Sequence, residues 1–549
     1  MASRQRGFAG LISNHNRSVL FSVLADVPGE KAIIWDEPLI RRFHTVATNS
    51  ELQEEGVVQN SKLNAKALDY IRQLVFIIQD TRKTQLKLQS YFTALDEGHS
   101  IYVYVVPRVS QKLLEWIKSL RHTVKHLAGT LRFVRSIPIY GFSAPHQSPD
   151  VVTMHVDDVI PRVQRNCWST LHRCAEAVLE LKLMMPRRPK VLCYGKWSKL
   201  VANIVESRRS EEEDVHDPGN SEQDSRFAFD EVVIIDRRLD LLTPLIFQRT
   251  HGGAIDELYG YSDDGVNQFE EAKFALEPQA KGEVSVSFNK PTFEELRDET
   301  IVSFGTKVQE MVANLKTRQA LKDTIKSSME LRYFTSYELP RIIEERKLLS
   351  HQTRLAEMIQ TKLHSDFMHD YLLCECDILE KPRDVVIPFI EDSIIAAEDI
   401  VFVIRLICLQ SHMVNGLRQE TLNAYRKLLV DSYGYTAVCW MVKLQDAGIL
   451  KAAEQSSISS FLSRLSIGKA DGLPDGWESE LVNQVRQSRV DSDVGDARAT
   501  GSYKTLLFVI GGLTVTEVGK LRLEFPDLDA IYVTNLTTGS DLITSFIDC

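Results

Sequence analysis

Four side chains that commonly bind zinc lie close together in the sequence. His364, His369, Cys374 and Cys376 fall within thirteen residues, which would suffice for one tetrahedral zinc site. The surrounding residues have helical spacing, and in a helix Cys374 and Cys376 point about 200° apart. The four side chains therefore do not converge unless the helix breaks, and the sequence predicts no metal site.

Two glycine-containing segments could bind a phosphate. Residues 195–198, GKWS, lack the upstream glycine of a phosphate-binding loop and carry Trp197 where Ser or Thr is needed. Gly511 and Gly512 could form a tight anion-binding turn at a helix start, or could let a strand and a helix pack closely. Close packing is favoured, because no GxGxxG pattern surrounds them. Hydrolase, zinc-protease and kinase motifs are also missing, so the sequence predicts no enzyme and no cofactor.

The most distinctive polar residues follow the apolar run FDEVVIID at 229–236. Asp236 and Arg237 stand at the carboxyl end of this predicted strand, where open α/β sheets bind ligands. These two residues could line a ligand crevice. Alternatively, Asp236, Arg237 and Asp240 could form ion pairs that fix the turn out of the sheet, and this second interpretation is favoured.

The composition is that of a folded protein with several domains. The chain has 549 residues, of which 44% are hydrophobic and 26% charged, so about three or four domains are expected. A net charge of −10 argues against nucleic-acid binding, which relies on excess Lys and Arg to neutralise phosphates. The eight cysteines are dispersed, which indicates a reducing compartment rather than a secreted disulfide scaffold.

No segment is expected to enter a membrane. The apolar stretch near the N-terminus is interrupted by NHNR at 14–17, so it does not read as a signal peptide. The best candidate for a membrane-spanning segment, IVFVIRLICLQ at 400–410, is about half as long as a spanning helix and contains Arg405. The sequence therefore predicts a cytoplasmic protein that reaches membranes only through partners.

Short apolar runs alternate with amphipathic segments through the first third of the chain, as is typical of parallel sheets covered by helices. Strands are predicted at 31–35, 73–79 and 100–107, with helices between them. A second set begins with LRFVRSIPIYGF at 131–142 and includes strands at 191–195 and 229–236. The polar residues 206–226, between these last two strands, predict a solvated loop.

Residues 250–480 change to long helical segments with few strand signals. The helix opened by Pro340 has apolar residues at Ile342, Leu349, Ala356 and Leu363, so it is expected to be amphipathic over about six turns. About fifty C-terminal residues return to a β-α-β pattern. This order predicts that the C-terminus completes the second sheet and that the helical block is inserted into it.

Several separated segments together resemble the Sec-one/Munc-eighteen (SM) family, whose members regulate SNARE-driven membrane fusion. They are GEKAIIWDE, DLLTPL, IDELYG, VIRLICLQS, SYGY and LLFVIGGLTVTEVGKLR, in the expected order along nearly the whole chain. The resemblance is strongest to the vacuolar protein sorting branch. Residues 455–503 depart from the pattern, because this segment is shorter than the family's and lacks its Tyr- and Pro-containing stretch.

The resemblance implies an arch-shaped SM-protein fold, with two parallel-sheet α/β domains and a large inserted, mainly helical domain. The implied division is domain 1 at 1–127, domain 2 at 128–250 and 485–549, domain 3a with a SNARE-binding hairpin at 251–372, and domain 3b at 373–484. The structural signature between sheet and helices corresponds to Asp236, Arg237, Asp240 and Pro244.

The resemblance also implies partners and a location. A vacuolar protein sorting-associated protein 16-type subunit would hold the chain in HOPS or CORVET tethering complexes on late endosomes, lysosomes or vacuoles, through Arg426 and Tyr435. Qa- and R-SNAREs and their bundles are the other expected partners. The expected SNARE surface is the polar side of the helix opened by Pro340, namely Pro340, Arg341, Glu344, Lys347, His351 and Arg354. A tethering scaffold without SNARE contact and a nucleotide-binding α/β enzyme remain the alternative functions.

Overall fold

Two parallel sheets organise the protein, and they belong to different units of the chain. The computed structural model describes residues 7–64, 71–95, 98–124, 127–185, 188–213, 228–274, 282–324, 327–380, 384–453, 479–491 and 503–547. The first unit comprises residues 1–154 and 262–264, and the second comprises residues 155–261 and 265–549.

The first unit is built on a five-stranded sheet in which all paired strands are parallel. Its strands are β1 Lys31–Trp35, β2 Val57–Lys62, β3 Gln73–Gln79, β4 Ser100–Val106 and β5 Leu131–Ser136, in the order β2-β1-β3-β4-β5. The helices are α1 Phe8–Ala25, α2 Glu37–His44, α3 Asn49–Glu54, α4 Arg82–Ala94, α5 Gln111–Thr123 and α6 Leu127–Thr130. A short antiparallel pair follows, β6 Phe142–Ser143 and β7 Val151–Thr153. The three strands predicted in this region are confirmed.

One prediction for this region is wrong. The sequence pattern places LRFVRS in the second sheet, but β5 pairs in parallel with β4 and forms the edge of the first sheet. The error has a physical reason, because an edge strand is covered on fewer sides and β5 is only partly buried. Its sequence therefore lacks the continuous apolar run of a buried strand, and it does not identify β5 as the last strand of the first sheet.

The C-terminal segment completes the sheet of the second unit, as the sequence predicts. The strands of this unit are β8 Lys190–Tyr194, β9 Glu231–Asp236, β10 Val266–Glu270, β11 Glu283–Ser287, β12 Thr505–Ile510 and β13 Leu528–Val533. The parallel strands β13, β12, β9 and β8 are neighbours in that order. The antiparallel pair of β10 and β11 lies in the region predicted to be helical and was not anticipated.

Helices make up most of the remaining second unit. They are α7 Val159–Gln164, α8 Ser169–Met184, α9 Lys196–Glu213, α10 His251–Tyr259, α11 Glu271–Phe274, α12 Pro291–Glu294, α13 Ile301–Ala320, α14 Ser328–Tyr333, α15 Leu339–Leu363, α16 Asp366–Glu380, α17 Ile387–Ile395, α18 Ile400–Met413, α19 Gln419–Tyr433, α20 Tyr435–Asp446, α21 Glu480–Asp491, α22 Val515–Glu524 and α23 Gly539–Ile547. Across the described residues, none of the helices combines the length and apolarity needed to span a bilayer.

Two predicted segments fall partly outside the described residues. The predicted loop at 206–226 is wrong at its start, because α9 continues to Glu213, while residues 214–226 are not described. Within 455–503, the structure describes only 479–491 and residue 503, and α21 occupies Glu480–Asp491.

A buried ion-pair network joins the two ends of the inserted helical block. Arg237, directly after β9, has no solvent exposure, and its Nη1 donates to the two carboxylate oxygens of Glu517 at 2.9 and 2.7 Å. The Nε of Arg237 donates to the carbonyl oxygen of Asp240 at 2.7 Å. The Ser479 hydroxyl lies 3.0 Å from the Asp240 carboxylate and 2.7 Å from that of Glu517. The network thus connects Arg237 with Glu517, which lies 280 positions later in the chain.

A second buried ion pair fixes the turn that contains Pro244. Arg405 and Glu257 have no exposed side-chain surface, and they form two parallel hydrogen bonds of 2.8 Å. The Nε of Arg405 also donates to the carbonyl oxygen of Leu245, the last residue of the short 3₁₀ turn Thr243–Leu245. Pro244 is therefore a buried structural residue beside α18.

His251, the first residue of α10, joins this helix to α13 and α15. Its side chain is buried, with Nε2 3.0 Å from Oε1 of Gln352 on α15. Its ring centroid lies 4.3 Å from that of Phe304 on α13. Burial lowers the pKa of His251 to about 4, and the hydrogen bond with Gln352 opposes this shift only in part.

We expect Arg237→Met to lower the free energy of unfolding by about 3–5 kcal/mol, because it leaves the carboxylates of Glu517 and Asp240 buried without their cation. Arg341→Met is the matched control, since this side chain is two-thirds exposed, its ion pair with Glu338 lies at the surface, and its loss should cost at most about 1 kcal/mol. Denaturant unfolding followed by circular dichroism measures both changes. Equal losses in the two variants would contradict the role assigned to the network.

We also expect a histidine-dependent loss of stability in acid. The pKa of His251 is about 4 when folded and 6.5 as the ordinary value, so the unfolded chain binds more protons between these values. Stability should fall by about 3 kcal/mol as the pH drops from 6.5 to 4. His251→Gln should remove this part of the pH profile, whereas His364→Gln, at an exposed histidine, is the control. Identical profiles for wild type and His251→Gln would rule the explanation out.

Candidate functional site

The carboxyl end of the second sheet is filled by the protein's own groups. The Asp236 carboxylate accepts a hydrogen bond of 3.0 Å from the backbone N–H of Trp197, in the first turn of α9. A Cβ on Gly195 would lie 2.4 Å from Cβ of Asp236, and one on Gly511 would lie 2.7 Å from Cβ of Arg237. Close packing, rather than anion binding, therefore explains these glycines. The geometry agrees with the ion-pair interpretation of the signature residues, although Asp236 pairs with Arg238 at 3.5 Å and not with Arg237.

The histidines and cysteines near residue 370 do not form a common site. His364 is exposed and lies 2.7 Å from the carbonyl oxygen of Gln360, whereas Cys374 is buried. Burial, and then the neighbouring carboxylates of Asp377 and Glu375, raise the pKa of the Cys374 thiol to about 12. In the part of the chain that the structure describes, no group of three or more His, Cys, Asp or Glu side chains could hold a metal ion.

The helix with the expected SNARE surface does not begin at Pro340. A π-helical turn at Phe334–Glu338 connects α14 to α15, and Glu338 has helical dihedral angles of −77° and −44°. The helical segment is therefore continuous from Ser328 to Leu363, with Pro340 in its interior. A wider π turn accommodates a residue that has no N–H to donate and that crowds the preceding turn. The prediction that a helix begins at Pro340 is therefore wrong, although proline is common in the first turn of helices.

The six residues expected to contact SNAREs divide into two groups. Pro340, Arg341, Glu344 and Lys347 are exposed along one face of α15. Their ion pairs, Arg341 with Glu338 and Glu344 with Lys290, are 3.6 and 3.3 Å long and lie at the surface.

The other two residues pack against another element. The Nε of Arg354 donates to the carbonyl oxygen of Phe274 at 2.7 Å, and the ring of His351 meets the ring of Phe274 edge-on with centroids 5.4 Å apart. Burial and nearby Lys347 lower the pKa of His351. His351 and Arg354 thus attach α15 to the end of α11.

The opposite face of α15 packs on α13 to form an antiparallel helical hairpin. Ile342 and Leu349 are buried against Phe304 and Leu315, which confirms the predicted amphipathic character of α15. At the surface of the contact, Arg318 on α13 forms an ion pair with Glu345 on α15 and another, of 3.5 Å, with Glu338. Apolar packing and ion pairs therefore hold α13 and α15 together, and the face of α15 that points away from α13 is exposed.

Three large side chains on the exposed face were missed from the sequence. Met329, Tyr333 and Tyr337 follow one another every four residues, and they are 84%, 60% and 63% exposed. The two tyrosine rings lie 5.3 Å apart. Their four-residue spacing is visible in SMELRYFTSYE, but the sequence predicts a helix that begins after them, at Pro340. We name Met329, Tyr333 and Tyr337 the aromatic stripe; it precedes the exposed face of Pro340, Arg341, Glu344 and Lys347 on one helical segment.

The two residues expected to contact a tether subunit differ in exposure. Tyr435, at the start of α20, is 81% exposed, while Arg426 is half-buried and donates to Oε1 of Gln445 at 2.7 Å, bracing α19 against α20. Gly434 between the helices has φ of 83°, which confirms the expected positive φ. Tyr433, and not Tyr435, closes the end of the core, since its hydroxyl donates to the carbonyl oxygen of Glu398.

Tyr435 is one member of a larger exposed apolar face on α20. Cys439 is exposed, and Val442 is 45% exposed. These residues lie four and seven positions after Tyr435, so the three side chains share one side of the helix. Together they could receive an apolar surface of another protein.

Comparisons with known proteins agree with the family resemblance. Vacuolar protein sorting-associated protein 33A of Caenorhabditis elegans is 26% identical, over 97% of this chain and 95% of that protein. The protein of the same name from Rattus norvegicus is 25% identical, over 97% of this chain and 96% of its own length.

Solved structures share the fold along nearly the entire chain. The Unc18 protein of the Unc18–syntaxin 1 complex from Monosiga brevicollis matches with a TM-score of 0.63 and 13% identity, covering 98% of this chain and 99% of that one. The SM protein Vps45 in complex with the Qa SNARE Tlg2 matches with a TM-score of 0.60 and 16% identity, covering 97% of both chains. The expected α/β fold with parallel sheets is confirmed. A family model described as the Sec1 family matches residues 31–486, and the protein belongs to that family.

Proposed function

We propose that this protein is an SM-type regulator of SNARE-mediated membrane fusion and a subunit of HOPS- or CORVET-type tethering complexes. The observation that carries the proposal is the exposed surface of the α13–α15 hairpin, where the aromatic stripe adjoins a face of alternating charge. Family membership supports it, as do relatives named for vacuolar protein sorting and an SM protein of the same fold solved with a Qa SNARE.

The hairpin surface would act as a template for SNARE helices. The first turn of an isolated helix has an initiation factor on the order of 10⁻³, which corresponds to a cost of roughly 4 kcal/mol. A fixed surface that binds two SNARE segments in register offsets part of this cost for each of them. No bond is made or broken, so the protein would accelerate assembly by positioning alone and would protect the partly assembled bundle.

The structure of the hairpin suits this task. Ion pairs of Arg318 and the buried residues Ile342 and Leu349 fix α13 and α15 against each other. Rings at four-residue intervals can pack along one face of a partner helix, as apolar side chains do in helix pairs. Arg341, Glu344 and Lys347 carry alternating charges beside these rings and would select the register of a SNARE helix.

The exposed face of α20 would hold the protein in the tethering complex. Tyr435 is the main candidate for contact with a vacuolar protein sorting-associated protein 16-type subunit, because tyrosine is enriched among residues that dominate binding energy. Arg426 would contribute mainly by fixing the angle between α19 and α20. Through this subunit the protein would be peripheral on late endosomes, lysosomes or vacuoles and would serve transport between them.

We expect Tyr337→Asp to weaken binding of SNARE motifs at least about tenfold, because a charge replaces a ring at the centre of the proposed surface. Fluorescence anisotropy with a panel of labelled endosomal Qa- and R-SNARE motifs measures the change. Tyr435→Asp is the matched control, since it puts the same charge on a distant exposed tyrosine and should leave SNARE binding intact. A panel that binds the wild type and Tyr337→Asp equally would contradict the template, and a panel that binds neither would favour a scaffold without SNARE contact.

We expect Tyr435→Asp to lower the affinity for the C-terminal helical portion of a protein 16-type subunit by at least about 2 kcal/mol, while the melting temperature stays unchanged. Isothermal titration calorimetry measures this loss, and Tyr337→Asp now serves as the control. Full binding by Tyr435→Asp would move the interface to another surface, and no binding by wild type would remove this partner from the proposal.

A further inference from the structure

The end of the hairpin at which α13 passes into α14 carries a helix without a buried face. It consists of the last turn of α13, the 3₁₀ turn Leu321–Thr324 and α14, and every residue of α14 is exposed. A helix in a folded protein usually buries one face, so a helix that is exposed all round is either solvated or covered by a partner. We name residues 316–322 and 328–332 the hairpin tip.

Three large apolar side chains are exposed at the hairpin tip. Leu321, Met329 and Leu331 are 52%, 84% and 42% exposed. Met329 and Leu331 are two positions apart on one helix, so their side chains point about 200° apart. A protein groove covers one face of a helix and would leave one of these two side chains in water. A lipid interface surrounds the end of a helix and can receive both.

The hairpin tip is locally basic, although the chain as a whole has a net charge of −10. Residues 316–332 contain five Lys or Arg and two Asp or Glu. Lys316, Lys322 and Arg332 are exposed, and none of the three forms an ion pair with a described residue. Glu330 is exposed on α14 and offsets part of this charge. The apolar side chains of the hairpin tip are therefore accompanied by cations that an anionic surface can pair with.

Much of the net negative charge of the chain follows the other end of α15. Residues 364–399 contain ten Asp or Glu and two Lys or Arg. The helical segment from Ser328 to Leu363 separates this region from the hairpin tip, and at 1.5 Å per residue it is about 50 Å long. Salt screens charges beyond about 8 Å at physiological ionic strength, so the acidic region does not cancel the potential at the hairpin tip. An anionic surface is therefore attracted to the hairpin tip and not to the opposite end of α15.

We propose that the hairpin tip binds directly to the surface of an anionic lipid bilayer. The three apolar side chains enter the interface between headgroups and acyl chains, and the three cations lie among the anionic headgroups. This contact is separate from the one that a tether subunit would provide through α20. It does not rest on the proposed function, because neither a SNARE nor a tether subunit takes part in it.

Co-sedimentation of the full chain with phospholipid vesicles tests the proposal. One set of vesicles consists of phosphatidylcholine, and the other contains phosphatidylserine as well. We expect the chain to bind the mixed vesicles at least about tenfold more tightly, because each exposed Lys or Arg gains free energy near an anionic surface. Raising the salt concentration should weaken this binding severalfold, since the charges are then screened.

Two pairs of variants locate the contact. Leu331→Glu should weaken binding to the mixed vesicles at least about fivefold, because it places a carboxylate in the interface. Val302→Glu is its matched control, at a 92% exposed valine at the start of α13. Arg332→Glu should also weaken binding severalfold, whereas Arg341→Glu, at a two-thirds exposed arginine of α15, should have little effect. Equal melting temperatures establish that all four variants are folded.

Several outcomes would overturn the proposal. No vesicle binding by wild type, or equal binding to both kinds of vesicle, would leave the hairpin tip to a protein partner. Equal losses within either pair of variants would place the lipid contact elsewhere on the chain. Full competition by soluble glycerophosphoserine would replace the lipid surface by a free phosphate-bearing ligand. Tyr337→Ala, which removes a ring of the aromatic stripe without adding charge, should bind vesicles as wild type does, so failure of the SNARE surface and failure of the lipid contact are distinguishable.

Discussion

The burial of the Arg237 guanidinium imposes the constraint on which the second unit depends. A fully buried cation is tolerated only when anions and acceptors surround it, and here they come from Asp240 and Glu517. The Ser479 hydroxyl lies within hydrogen-bond distance of both carboxylates. Glu517 lies on the helix that follows β12, and Ser479 precedes α21. The sheet cannot incorporate its C-terminal strands with these groups elsewhere, so the network couples the closing of the sheet to the position of the inserted helices.

The same principle is repeated where the helical block meets the turn after β9. Arg405 lies in α18, a mainly apolar helix, yet it is buried with Glu257 and bonded to the carbonyl oxygen of Leu245. Glu375 likewise accepts from the backbone N–H of Phe247 and from Arg249. Buried charged pairs contribute little net stability but penalise every arrangement that separates them. They give a long insertion one defined orientation.

Large side chains are exposed on two helical surfaces that lie outside this interior. The aromatic stripe and the face of α20 expose Tyr333, Tyr337 and Tyr435, whereas Tyr371 and Tyr425 are fully buried. Large exposed rings contribute nothing to the core, and their burial against a partner would release water from a substantial apolar area. Their grouping on two helical surfaces, rather than the number of tyrosines, is the basis of the proposal that these surfaces bind other proteins.

Periodicity in the sequence determined the strands, the main helices and the amphipathic face of α15, because local spacing decides which side of an element is apolar. Short family segments determined the identity of the fold. The sequence could not assign β5 to its sheet, extend the helix through Pro340 or separate His351 and Arg354 from the exposed residues of α15. Two of these features depend on neighbours distant in the chain, β4 for β5 and Phe274 for Arg354, and the third depends on the π turn that directly precedes α15. Only the tertiary structure decides them, because burial and pairing are set by which surfaces meet, and local spacing carries no information about the partner.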